Sequence, residues 1–391
     1  MRQLIIRFTL ALIVLNNISG YCETVQLLPD TMVNRDVAQL VFCSDVHFGL
    51  TKENFRGKKD VTAENVSAAM IQQINMLPGM QLPPDNGVNS GKKIYYIDAL
   101  IITGDFANRE EMGIQSATKS WEQFQQTYLQ LLHLKTSENR NTPLLLTPGN
   151  HDVSNAIGFR RPMLPAKDAA SLIGVYNMMM HPVKKKDKTN FNFEKDKIHY
   201  SVDLGGAHLV FVQLWPDSAE RSWMEQDLST VNDTIPVFIF THSIPDVEAR
   251  FFVNPNGSHD VNNNDKFENL LSETFKDGHA ITVKADIEQR KFADFIKIHP
   301  NIKAFFHGHN NYTEFYDWKG PDSTVTLHCF RVDSPMKGRY SAHDETKLSF
   351  ELISFNRESH ELTVRECLWN TEPLNTSNPI KWGTSVTVTL N

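Results

Sequence analysis

The chain has 391 residues, 40% of them apolar and 22% charged, enough to build a real core in one large domain or two ordinary ones. A net charge of −7 and a pI near 6.1 give no basic footprint for nucleic acid, so such a ligand would have to be held by local patches. Four cysteines without a Cys-x-x-Cys spacing give no support to a thiolate zinc site.

In chain order, Arg2 and Arg7 precede an apolar run from Phe8 to Leu15, and Asn16 to Tyr21 then turns polar and small. That is the order of a secretory signal over residues 1–22, with cleavage after Gly20 or Cys22. The apolar run is shorter than the roughly 20 residues a spanning helix needs, and no later segment is apolar enough to cross a membrane. The expectation is a secreted or periplasmic protein. An uncleaved anchor is less favoured, and so is lipid attachment at Cys22, because bulky Tyr21 sits where a small residue is wanted.

Beyond the leader, five apolar, strand-like runs each end in a short polar cluster. Leu40 to Cys43 leads to Asp45-Val46-His47, Leu100 to Thr103 to Gly104-Asp105, and Leu144 to Thr147 to Gly149-Asn150-His151-Asp152. Val237 to Phe240 leads to Thr241-His242, and Ile302 to Phe306 to the run from His307 to Asn311. Between them, helical spacing predicts helices over Asn65 to Met76 and Ser120 to Leu134. His199 to Asp203 and Ala207 to Leu214 read as a strand pair turning at Gly205-Gly206. Strands are predicted over Thr313 to Trp318, Thr324 to Val332, Lys347 to Phe355 and Glu361 to Leu368. Gly158 to Asp196 and Pro245 to Asn264 fit no compact element and are expected to overhang the strand ends. The run Lys184 to Lys186 reads as a solvated face, with a phosphate-binding patch the other reading, and Met178 to Met180 reads as packing. Cys329–Cys367 is the only disulfide to consider, against the preferred reading of buried free thiols.

Carboxylate, imidazole and amide oxygen suit a divalent first-row metal. Parallel strands that deliver such groups at their carboxyl ends gather them in one crevice. A lone Asp or His of this kind is more often a helix cap or a satisfied core residue; five clusters in series are not.

The series Asp-x-His, Gly-Asp, Gly-Asn-His-Asp, His, Gly-His resembles the calcineurin-like metallophosphoesterases, from about Val41 to Asn311. Ser222 to Leu228 looks like that family's Trp-containing helix. The resemblance implies an α/β fold, a four-layer α-β-β-α sandwich of two mixed sheets flanked by helices. It would span residues 36–370, with 371–391 a C-terminal strand or tail. It implies two divalent metal ions (Mn, Fe or Zn), a phosphate-ester substrate, mono- or diester, and hydrolysis by metal-activated hydroxide. Carried over residue by residue, Asp105 bridges the metals, Asp45 and His47 hold the first, and Asn150 and His242 hold the second. His151 is the implied general acid. The carboxylate that several relatives place beside it falls at Asn108 here, and the sequence leaves open whether Asp152 points toward the imidazole instead. Arg109 is the implied phosphate clamp, with a plain surface arginine the other reading. The last motif has two frames. Anchored on Gly308, His309 binds the second metal and Asn311 completes the first; with the frame slid, His307 and His309 form a His-x-His pair. The glycine frame is preferred because glycine allows a tight turn. A catalytically weak binding or regulatory protein on the same scaffold is the alternative, prompted by Asn108 and Asn311.

Overall fold

The structure, a computed structural model, describes residues 36–108, 115–154, 169–192, 195–247, 275–276, 279–280, 286–375 and 380–390. The first half runs β1 (Val37–Cys43), β2 (Thr51–Phe55), β3 (Lys58–Thr62), α1 (Ala63–Asn75), β4 (Ala99–Ile102), α2 (Ala117–Leu131), β5 (Leu144–Leu146), α3 (Asn150–Ser154) and α4 (Ala170–Met179). Then come β6 (His199–Leu204), β7 (Ala207–Val212), α5 (Ser218–Leu228), β8 (Val237–Phe240), β9 (Phe275–Lys276), β10 (His279–Ala280) and α6 (Asp286–Ile298). The chain closes with β11 (Ile302–His307), β12 (Glu314–Trp318), β13 (Leu327–Arg331), β14 (Ser349–Asn356), β15 (Glu361–Leu368) and β16 (Lys381–Thr389).

Two six-stranded sheets carry the fold. The first has the order β16-β15-β14-β1-β4-β5, with β1, β4 and β5 parallel and the rest antiparallel. The second has the order β12-β13-β11-β8-β7-β6, parallel from β13 to β7 with an antiparallel strand at each edge. Alternation along β1 shows how they stack, since successive side chains point to opposite faces. Leu40 and Phe42 enter the core between the sheets, with Phe211, Phe240, Phe306 and Phe355. Val41 and Cys43 face outward onto α1 and α2, through Met70, Ile74, Phe124 and Tyr128. On the far side Val210, Ile239 and Phe305 pack against Met224 of α5 and Phe292 of α6. The result is the expected α-β-β-α sandwich. Its middle is aromatic: Phe240 stacks on Phe306 at 4.6 Å, and Phe42 meets both rings edge-on at 5.9 and 5.6 Å. Pairs of this kind are each worth about 0.5–1.5 kcal/mol beyond the area they bury.

Several expectations change. Residues 170–179, inside the stretch expected to form no element, are helix α4. It packs on α2, where Gly174 leaves room for the Trp121 indole. Met178, Met179 and Met180 pack at the edge of the outer core rather than overhanging anything. The hairpin β2–β3 and helix α6 were not anticipated, and β16 extends the first sheet beyond residue 370. Lys186 pairs with Asp196 at 2.8 Å, while Lys184 and Lys185 are exposed. Cys43, Cys329 and Cys367 are buried free thiols. Among the described residues no helix is long and apolar enough to cross a membrane.

Candidate metal centre

Every strand that leads to a polar cluster belongs to the parallel part of its sheet: β1, β4 and β5 in the first, β8 and β11 in the second. Their carboxyl ends meet at one rim of the sandwich, and hydrogen bonds lace the loops there. Asp45 N donates to Gly104 O (3.0 Å) and His47 N to Asp105 O (2.8 Å) within the first sheet. Across the sheets, His242 Nδ1 meets Thr103 O at 2.7 Å, and His309 N donates to Asp45 Oδ2 at 3.0 Å. Gly308 is required by close approach rather than by a turn. Its φ is not in the left-handed region, but a Cβ there would collide with Ser44 Oγ and Asp45 Oδ2.

Backbone strain marks the same loops. Asp45, His47, Asp105, His309 and Asn311 all have left-handed φ, between 44° and 69°. Non-glycine residues adopt this region at a cost, of order 1–3 kcal/mol each, and keep it only where the surroundings over-determine them.

The side chains form two donor groups that share Asp105. In one, Asn150 Oδ1 lies 3.0 Å from His242 Nε2 and 3.1 Å from His309 Nδ1, and the two ring nitrogens are 3.2 Å apart. Asp105 Oδ1 is 3.5 Å from His242 Nε2. With its Nδ1 proton given to the Thr103 carbonyl, His242 turns a lone pair toward these atoms. In the other, His47 Nε2 lies 3.7 Å from Asp45 Oδ1 and 3.6 Å from Asp105 Oδ2, and His151 Nε2 lies 3.8 Å from Asp105 Oδ2. Two trios, His47–Asp105–His151 and Asp45–Asp105–His242, have the spacing to hold an ion.

The residues fit divalent cations on two grounds. Donors bound to one cation at about 2.1 Å stand about 3.0–3.4 Å apart, which the Asn150–His242–His309 group matches. Further, Asp45 Oδ1, both ring nitrogens of His47 and Asn311 Oδ1 are buried with no hydrogen-bond partner. Leaving such groups unsatisfied costs about 1–3 kcal/mol each, so the site is built for something that accepts their lone pairs. Charges point the same way. Burial pushes the Asp105 carboxyl up to about 7, against the pull of His242 and with Asp45 adding to the rise. Burial works against ionisation of Asp45 too, but His242 and His47 hold it below the usual carboxylate range. Burial and the Lys337 ammonium press His47 down to about 3, leaving it neutral and ready to ligate.

Three further residues named from the sequence lie in or beside these groups. His307 is not in either group: it is buried, with Nδ1 on Gly308 O at 3.0 Å and Nε2 on the Tyr316 hydroxyl at 2.9 Å, so both nitrogens are engaged. Asn311 Oδ1, by contrast, is buried with no hydrogen-bond partner. Asp152 does not serve His151. Its carboxylate accepts from the amides of Phe106, Ala107 and Gly149 at 2.9–3.2 Å, and so braces the Gly-Asp turn against the Gly-Asn-His-Asp turn. His151 is packed edge-on to His47 at 4.8 Å, inside a donor group rather than beyond it. Arg109 lies outside the described residues, as does Pro245 to Asn264 after Val247.

Lys337 was missed by sequence reading. Ser334 Oγ donates to Asp45 O at 2.7 Å and accepts from Lys337 N at 2.9 Å, and Arg339 N donates to Asn311 O at 2.6 Å. The segment Ser334–Ser341 is thus a strap stitched to two ligand loops. It holds the Lys337 charge close enough to act on both His47 and Asp105.

A mixed α/β sandwich with this ligand series defines a metal-dependent phosphoesterase fold, and the chain belongs to the calcineurin-like phosphoesterase family, whose model matches residues 38–333. Among solved structures it is similar to a single mutant of Vps29 from Entamoeba histolytica, at 8% identity and TM-score 0.31, covering 90% of this chain and 99% of that one. It is also similar to the calcineurin-like phosphoesterase YfkN from Bacillus subtilis, at 9% identity and TM-score 0.33, covering 90% of each. No curated protein matches.

Proposed function

We propose that the protein is an exported hydrolase of phosphate esters that works with two divalent cations, which the two donor groups would hold with Asp105 common to both. The observation that carries this reading is the placement of Asp105, with Oδ1 turned to His242 and Oδ2 to His47 and His151. Asp45, His47 and the unpartnered Asn311 oxygen would complete one site; Asn150, His242 and His309 would complete the other. Bound there, the cations supply positive charge for the phosphoryl oxygens and lower the pKa of a water.

The chain's own groups do the rest. Lys337, held by the strap, offers an ammonium to a phosphoryl oxygen, as a charged hydrogen-bond donor. His151 stands beside Asn150, with Nε2 3.8 Å from Asp105 Oδ2, and it gives its proton to the departing alkoxide. Asp152 keeps the two turns in register. Export is inferred from the Arg2–Tyr21 leader pattern; the mature protein should begin just after Gly20 or Cys22, and protein retained inside the cell with Met1 intact would refute it.

The test is activity of metal-stripped protein against phenyl phosphate and bis-nitrophenyl phosphate, with Mn, Fe or Zn restored one at a time. Hydrolysis that returns with metal supports the enzyme. One metal bound at most, with no turnover on either ester, would favour the alternative, a regulatory protein on this scaffold, to which Asn108 and Asn311 point.

A further inference from the structure

Next to the Asn311 loop lies a cavity of about 410 Å³. Tyr312 and Thr313, which directly follow Asn311, form one wall, and Arg339 and Tyr340 of the strap form another. The ligand loop and the strap therefore serve both places at once. We propose that this cavity receives the leaving group of the substrate, and that it takes a neutral, hydroxyl-rich alcohol such as a sugar or sugar alcohol. The proposal rests on the phosphoesterase reading above and names the class of ester.

Three features select that chemistry. First, Asp333 lines the cavity, is 4% exposed, and has Oδ1 buried with no hydrogen-bond partner. An acceptor left so is built for a donor from a guest. The Thr313 and Ser349 hydroxyls, 3.0 Å apart, stand in the same lining and can each give or take a proton. Secondly, the rings do not form a slot for a flat guest. Tyr312 and Tyr340 are nearly perpendicular, at 79° with centroids 6.0 Å apart, and the Arg331 guanidinium already covers Tyr312 at 3.6 Å. Tyr340, 57% exposed, offers an apolar surface for C–H groups. Thirdly, the lining mixes both signs of charge, Asp333, Asp344 and Glu366 with Arg339 and Lys347. It is no basic pocket for a second anion, and a neutral polyol fits it. Aromatic walls with a few convergent polar groups are the usual make-up of a specific pocket.

The experiment compares kcat/KM on glucose 6-phosphate, adenosine 5′-phosphate and phenyl phosphate for the metal-loaded wild type and for Tyr340→Ala and Asp333→Asn. The wild type should prefer the sugar ester. Each variant should lose at least about tenfold on it, the scale of one lost hydrogen bond or packing surface, and distinctly less on phenyl phosphate. A wild type that prefers the nucleotide or the phenyl ester, or variants that lose equally on all three, would overturn the proposal. If nothing is hydrolysed, the functional reading fails, and the cavity is then judged by binding alone. Saturation-transfer NMR with methyl glucoside should give a signal in wild type that Tyr340→Ala abolishes, and no signal in wild type would end the proposal too.

Discussion

Asp105 is the residue on which both donor groups depend. Asp105→Asn removes the shared anion, so the variant should lose most bound metal and nearly all turnover. Elemental analysis that finds the wild-type metal content would sink the bridging role. In the same measurement Asn311→His, which exchanges an amide oxygen for a stronger donor, should hold one metal more tightly. His151 calls for a different readout, because it lies within a donor group and is also proposed as the acid. As an acid, His151→Ala should keep both metals yet slow alkyl esters by roughly 10²–10⁴, with a nitrophenyl ester suffering far less. Lost metal, or equal losses on both esters, would make it a ligand instead. The site residues were readable to the extent that they sit in short motifs at strand ends. Asp152 was left open because its partners, the amides of Phe106 and Ala107, lie 46 and 45 residues away. His307 was resolved only by Tyr316, which the sequence gives no reason to place beside it.

Among elements, the strap Ser334–Ser341 is the one whose role is least visible in sequence and most open to test. It has no periodicity and no motif, and its position depends on one serine hydroxyl reaching the Asp45 carbonyl. Lys337→Gln should keep metal but lose about 10- to 100-fold in kcat/KM, the worth of a hydrogen bond to a charged group, with weaker inhibition by inorganic phosphate. Ser334→Ala should show part of the same loss. A fully active Lys337→Gln would show that its charge serves no phosphoryl group. The parallel strands, by contrast, were legible because strands buried on both faces read as unbroken apolar runs. The β2–β3 hairpin was not, since TKENF and KKDVT lack an apolar alternation. Helix α6 is absent from the sequence reading although Phe292, Phe295 and Ile296 carry helical spacing.

At the scale of the molecule, the raised Asp105 sets how metal and pH are linked. Its folded value of about 7 lies above the usual 3.8, so the metal-free protein gains stability from that proton. The gain is complete below pH 3.8 and is lost as pH rises through 7. A metal must displace the proton, and His242, also raised by Asp105 and Asp45 against the effect of burial, must give up its own. Metal affinity should therefore strengthen by at least about tenfold between pH 6 and pH 8, and the rise in Tm on metal addition should grow over the same span. Titration calorimetry at the two pH values checks this; equal affinities would mean that Asp105 is ionised already.

The donors of each group come from both sheets, from Asp45 near the start of the fold to His309 near residue 310. No stretch of chain short enough to act before folding carries a complete site. In a chain exported before it folds, no ion can be carried across in the finished centre. The ions would be chosen from whatever the destination compartment supplies. Occupancy would then record where the protein folded, and the same polypeptide refolded in a different medium should emerge with a different metal.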